Sequence, residues 1–555
     1  MSMLLFCLLG FLPSYAQSWA KKAGQAVFTL KTFSADGQLI GSSNGFFVSE
    51  EGDAVSCYTP FKGASRAVVI DAQGKEWNVA YMQGANEMYD VAKFRVTVKR
   101  PNSLTIATSP ATAGTAVWLM PYAVKKVPVC RNGSVSSADP IQKEYTYYTL
   151  SLKSDEQWVG LPILNDEGLV VGMLQPAADN KQADTSYAID VRYAADLRMT
   201  GLSLNSAAMR QTSIPLAVPD ELQDAILSAY MGATSMPTDV FAEYIERFIA
   251  KFPNAPEGYE YRARLAISKG DYASADATMQ EALKVSDKKD DTHFQLAQMM
   301  LQKQLQHPEP PYEPWSLEHA LEHARQAYQL NAISVYRMQE AQILYANKQF
   351  AEACEVYLSL TKSELQPAEQ YLSAAQCKLQ LKDTEGALAL LDSAVNQFSR
   401  PYVKTAAPYL LARAQVRSEA GQYRPAVVDF NDYEQLMTAS QLGAHFYYIR
   451  QQAEMKGHLF QQALDDIRRA VELAPTEMLY LTEKAAVELR LGQTDDALKS
   501  AEAIIRQEPA ASDGYLFLGL AQCVNGNKQE GLQNLQKAKE LGDDQAQQFI
   551  EKYSK

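Results

Sequence analysis

Six histidines occur in the chain, and none precedes His293. Hydrolysis by an activated serine or cysteine needs an imidazole beside the nucleophile to take its proton, and the first 292 residues hold none. His319 and His323 stand four apart, a spacing that can hold zinc on one helix face. Ala320 sits where a catalytic glutamate would follow the first histidine, so a solvated helix face is expected. His307, His445 and His458 are scattered. Six cysteines are too few for a disulfide framework, and no two stand at metal-ligand spacing. Cys57 and Cys130 leave two options open, a bridge in an oxidising compartment or plain buried thiols. A glycine-rich phosphate loop with lysine and a dinucleotide fingerprint are both missing. No metal and no cofactor are therefore expected.

Residues 17–200 must position whatever chemistry the first part carries. Short alternating or β-branched runs fill them: AVFTLKTF, GFFVS, AVSCY, RAVVIDA, AVWLM, EYTYYTLSL and LVVGML. Asp36-Gly37, Glu51-Gly52, Gln73-Gly74 and Glu167-Gly168 punctuate the runs. Short strands with glycine turns, and no long amphipathic helix between them, predict an antiparallel all-β barrel or sandwich.

Three ordered segments narrow this further. Gly45-Phe46-Phe47-Val48-Ser49-Glu50-Glu51-Gly52 is followed by Val55-Ser56-Cys57-Tyr58-Thr59-Pro60-Phe61. Then comes Tyr89-Asp90-Val91-Ala92. Last is Gln157-Trp158-Val159-Gly160-Leu161-Pro162, with Gly168 and Gly172 beyond it and Ser186 to Val191 as an echoing strand. Over about residues 24–200 this order resembles the chymotrypsin-like serine proteases, especially exported bacterial ones of the HtrA and trypsin-2 type. The resemblance implies a double β-barrel with Thr59, Asp90 and Val159 converging between the barrels. Thr59 stands where the family has its histidine, Asp90 matches the orienting aspartate, and Val159 replaces the serine. Valine offers no nucleophile and threonine no base. Trp158 and Leu161 replace small residues and are expected to reshape the oxyanion turn. No catalytic residue, and no enzyme activity, is expected.

From about residue 219 the hydrophobic period changes to 3.6, after a Ser-, Pro- and Thr-rich stretch at 201–218 read as a linker or short packed connection. Small residues then recur. Ala353 to Ala387, Ala463 to Ala497 and Ala497 to Gly531 are each 34 residues apart, and Ala320 to Ala353 is 33. Turns such as Gly270-Asp271-Tyr272, Gly421-Gln422-Tyr423, Gly492-Gln493-Thr494 and Gly526-Asn527-Lys528 precede the anchors. The pattern resembles the tetratricopeptide repeat, so 219–555 is expected to be an all-α solenoid of about eight helix pairs with a C-terminal cap helix. An insertion at 302–316 carries four prolines with Tyr312 and Trp315, and reads either as a contact loop with exposed aromatics or as an irregular helix connection packed on its neighbour. The first helix of each pair projects Tyr345, Leu379, Tyr448 and Met455 onto the concave side. These four, with Tyr312 and Trp315, are the expected partner-binding residues, because aromatic and methionine side chains suit peptide recognition.

The opening MSMLLFCLLGFLPSYA reads as a signal peptide cleaved after Ala16, which implies a periplasmic or otherwise exported chain. A net charge of -13, from 65 acidic and 52 basic residues, with no basic stripe, argues against nucleic acid as a partner. The function that fits is an exported binding or scaffold protein whose repeats hold a protein or peptide. Two alternatives stay open: a degenerate or unusual serine-type peptidase, and a structural subunit of a membrane-associated assembly in the outer membrane or a secretion system.

Overall fold

The computed structural model describes residues 19–126, 128–142, 144–176 and 184–555. The expected signal peptide lies outside the described residues. The chain divides into two compact units, 1–292 and 293–555.

The first unit opens with two closed antiparallel barrels of six strands each. The first contains β1 (Val27–Phe33), β2 (Leu39–Phe47), β3 (Asp53–Ser56), β4 (Arg66–Ile70), β5 (Glu76–Asn86) and β6 (Val91–Val96). The second contains β7 (Ala116–Leu119), β8 (Arg131–Ile141), β9 (Tyr145–Ser151), β10 (Pro162–Leu164), β11 (Val170–Gln175) and β12 (Thr185–Asp190). Alternation drives the closure. Along β1, Phe28, Leu30 and Thr32 are buried while Thr29 and Lys31 are not. Phe28 packs on Phe47 at 4.9 Å and Phe61 on Phe94 at 5.1 Å, which fills the first barrel with aromatic rings. Tyr148, Leu150, Ile163, Met173 and Ile189 fill the second. The turn glycines Gly37, Gly52, Gly74 and Gly168 all have positive φ, which an L side chain adopts only with strain.

Residues 201–218 form the packed connection, not a free linker. Met82 N donates to Pro215 O and Ala217 N to Met82 O, both at 2.8 Å, so this stretch adds to the edge of β5. Tyr58 Oη donates to Ala208 O at 2.9 Å. Backbone groups carry most of this docking, which composition does not register.

Helices follow. The first unit holds Leu222–Ser235 with Thr238–Lys251, and Pro256–Ile267 with Tyr272–Val285. Counting from Lys289 to Glu540, seven more helix pairs follow, and Ala546–Ser554 closes the chain. The total among the described residues is nine pairs, against the expected number of about eight: the pair at 222–251 and eight pairs from Pro256 to Glu540. Ala353, Ala387, Ala463 and Ala497 are fully buried, as their spacing predicts, and so are Ala275 and Ala426. At Gly531 a Cβ would lie 2.4 Å from Cys523 Sγ and 2.8 Å from Gly519 O, so only glycine lets these two helices approach. Cys57 and Cys130 are free thiols.

Candidate functional site

The cleft between the barrels gathers the residues that the motifs singled out. Thr59, Asp90, Trp158, Val159 and Leu161 line one cavity of about 640 Å3. Thr59 opens a short 3-10 turn after β3. Asp90 ends the β5–β6 turn with φ 48°, a left-handed conformation that an aspartate tolerates better than most residues. Its Oδ1 accepts the Thr59 amide at 2.6 Å, and its carbonyl accepts Tyr58 N at 3.3 Å. The carboxylate therefore clamps backbone, and the first 292 residues hold no imidazole for it to orient. Cys57 is buried beside it, and burial together with the Asp90 charge pushes its thiol well above the ordinary range. A thiolate nucleophile is thus disfavoured there.

The turn before β10 shows where its amides go. Asp155 caps a 3-10 turn, Glu156–Trp158. Gln157 N donates to Asp155 Oδ1 at 3.2 Å, Trp158 N to Asp155 O at 2.9 Å and Val159 N to Glu156 O at 3.3 Å. Gly160 N donates to Leu174 O at 2.9 Å and Leu161 N to Trp158 O at 3.1 Å. An oxyanion hole needs amides aimed at empty space, and each amide from 157 to 161 is already bonded within the protein. Leu161 lines the cleft, but its side chain is fully buried with the second barrel's core. Trp158 is half-buried, with the Arg131 guanidinium 4.6 Å above its ring.

A latch that sequence reasoning missed joins the barrels here. Asn44 on β2 donates from Nδ2 to Gln157 O at 2.7 Å and to Val159 O at 3.2 Å. Its backbone N and Ser43 Oγ also donate to Val159 O, each at 3.2 Å. The signal available was the polar run Ser42-Ser43-Asn44 inside an otherwise apolar strand sequence. Gly160, with φ +88°, completes the joint, because a Cβ there would stand 2.1 Å from Asn44 O.

The second unit places the expected partner residues unevenly. Trp315 is fully buried, which corrects its reading as an exposed contact. The cause is Lys303, itself only 3% exposed. Its Nζ donates to His307 O at 2.6 Å and to Pro308 O and Pro310 O at 2.8 Å, drawing the proline-rich insertion inward. Gln304 then holds Trp315 O, and Tyr312 meets the indole edge-on at 6.2 Å. Tyr312, Tyr345, Leu379, Tyr448 and Met455 are half-buried. Tyr345 packs on Phe350 at 5.3 Å and Tyr448 on Tyr480 at 5.3 Å, so each keeps only part of its ring for a partner. His323 does not lie on a purely solvated face; its Nδ1 is 2.8 Å from His293 Nδ1.

Residues 482–546 match the family model of the tetratricopeptide repeat. Superkiller complex protein 3 of Mus musculus is 23% identical over 287 residues, covering 51% of this chain and 18% of that protein. Small glutamine-rich tetratricopeptide repeat-containing protein 2 of Saccharomyces cerevisiae is 28% identical over 93 residues, covering 17% of this chain and 27% of its own length. The chain thus spans less than a third of either curated relative. Among solved structures, a protease of M. tuberculosis in its active form is 18% identical with a TM-score of 0.29, covering 37% of this chain and 86% of that one. The chain is a pair of closed six-stranded antiparallel barrels fused to a long all-α region, of which residues 482–546 match the tetratricopeptide repeat.

Proposed function

We propose that this chain is an exported, non-catalytic binding protein. In this reading the helical region holds a protein or peptide partner, and the inter-barrel cleft receives peptide without cutting it. One observation carries the reading: at the convergence of Thr59, Asp90 and Val159, the amides of residues 157–161 are all spent on internal bonds. Hydrolysis there would lack the nucleophile, the base and the electrophilic stabilisation together. What remains is a concave surface with an aromatic ring, a carboxylate and hydroxyls, the mixture from which peptide sites are built. The half-buried Tyr345, Leu379, Tyr448 and Met455 supply the candidate contacts on the repeats.

The test is retention without cleavage. Fluorescent, unfolded casein is incubated with the full chain and followed by anisotropy, then recovered and sized. The reading expects binding and intact casein, with binding weakened in a folded Trp158→Ala, Tyr448→Ala double variant. Fragments of casein, or binding that the double variant leaves unchanged, would count against it.

A further inference from the structure

A second cleft, of about 470 Å3, lies within the first unit, where the first barrel faces the helix Thr238–Lys251. Lys93, Arg95, Arg198, Arg247 and Lys251 line it, against the single lining carboxylate Asp220. The chain as a whole carries -13, so this positive charge is a local arrangement and not a consequence of composition. Separate elements bring the cations together. Lys93 and Arg95 alternate on β6, so they share a face. Arg247 and Lys251 are one helical turn apart. Arg198 arrives on the segment after β12, which lies close against β5 because residue 84 is glycine. A Cβ at Gly84 would stand 2.8 Å from Leu197 Cβ and 3.1 Å from Arg198 N.

Several of these cations are already engaged. Lys251 Nζ donates to Asp220 at 2.6 Å and to Val218 O at 2.9 Å. Arg95 pairs with Asp53 at 2.8 Å, and Lys93 donates to Ala195 O at 2.5 Å. Arg247 differs. Among the described residues it has one long bond, Nη2 to Leu216 O at 3.5 Å, while its buried Nε has no acceptor. Burial lowers its pKa from the ordinary arginine value, with nearby Glu243 opposing only in part. A guanidinium carries five donors in a planar fork, and leaving them desolvated with few acceptors is costly. Arg198, beside it in the cleft, is exposed.

We propose that this cleft binds a small organic anion, its carboxylate or phosphate oxygens held by Arg247 with Arg198 and Lys93. The body of the ligand lies against Leu197 and Met199, which also line the cleft. Arginine forks fit either oxyanion bidentately, so the chemistry shared by the two is what the site reads. The inference is independent of peptide binding between the barrels.

Calorimetric titration of the full chain at low salt tests it, with succinate and phenyl phosphate as probes. At least one probe should bind with Kd tighter than about 1 mM, and added salt should weaken it. Tighter binding of phenyl phosphate identifies a phosphate site, and tighter binding of succinate a carboxylate site. Arg247→Gln should weaken binding about tenfold or more. Arg198→Gln changes an exposed side chain, so it tests the site even if the first variant fails to fold, and it should weaken binding by about threefold or more. The proposal is overturned if neither probe binds tighter than about 1 mM, or if the folded variants bind as the wild type does.

Discussion

Substituting Asn44→Ala should open the joint between the barrels without unfolding either one. The Asn44 amide donates to Gln157 O and Val159 O, and the residue is 8% exposed. Each hydrogen bond contributes a net ~0.5–1.5 kcal/mol, so losing both costs about 1–3 kcal/mol. The backbone bond from Asn44 N to Val159 O survives the change, which keeps the loss local. Since about 1.4 kcal/mol is a tenfold change in an equilibrium constant, opening of the 156–161 turn should become about five- to 150-fold more frequent. Native-state hydrogen exchange on the full chain reads this directly, through the amides of Gly160 and Leu161. The strands of the first barrel's core should exchange as before. Gly160→Ala, whose added methyl would collide with Asn44 O, should loosen the same turn. Exchange at Gly160 and Leu161 within about twofold of wild type in Asn44→Ala would refute the latch, and with it the account of where these amides are spent.

Three further outcomes follow from the helical region. Lys303→Met removes the ammonium that holds His307 O, Pro308 O and Pro310 O, and should destabilise the insertion by at least about 2 kcal/mol; limited proteolysis should then cut near 307–316, and continued resistance would contradict the arrangement. Burial, reinforced by the Asp466 charge, pushes the Glu454 carboxyl well above its usual range, so the folded state favours its protonated form. That contribution is complete below the unfolded pKa, about 4.3, and fades as pH rises toward the raised folded value. Glu454→Gln should therefore gain on the wild type by up to about 1.4 kcal/mol per pH unit between pH 5 and pH 7 in urea titrations, and a gap independent of pH would contradict it. Lys382 occupies, at φ 60°, the turn position that glycine fills at Gly421 and Gly492; Lys382→Gly should stabilise by about 0.5–1 kcal/mol, checked by local hydrogen exchange, and destabilisation would show that the lysine side chain matters more than its backbone.

Local patterns in the chain announce most of its architecture. Period-two runs such as Val27–Phe33 become strands, glycines such as Gly74 and Gly492 become the left-handed turns, and the alanines at 34-residue intervals become buried helix contacts. Each of these is decided by neighbours within a few residues or by a fixed repeat. The convergence of Thr59, Asp90 and Val159 was legible only because three motifs kept their order. What escaped has the opposite character. The proline-rich insertion leaves Trp315 open between an exposed contact and a packed connection, and a lysine twelve residues earlier decides it by folding the insertion inward. Composition leaves residues 201–218 open between a linker and a short packed connection, because the docking that decides it is made largely by backbone groups that any sequence carries. The Asn44 latch and the basic cleft draw on residues more than a hundred positions apart, and no local spacing encodes such a meeting.

The central claim, that the inter-barrel cleft binds without catalysing, is tested most directly by a serine-directed fluorophosphonate probe with casein turnover, applied to the wild type and to Val159→Ser. The introduced hydroxyl would lack a base, since Thr59 cannot supply one, and would face a turn whose amides are spent. The account predicts no labelling of the barrels and no casein fragments from either protein. Labelling within residues 19–200 of the wild type, or measurable turnover by Val159→Ser alone, would contradict it.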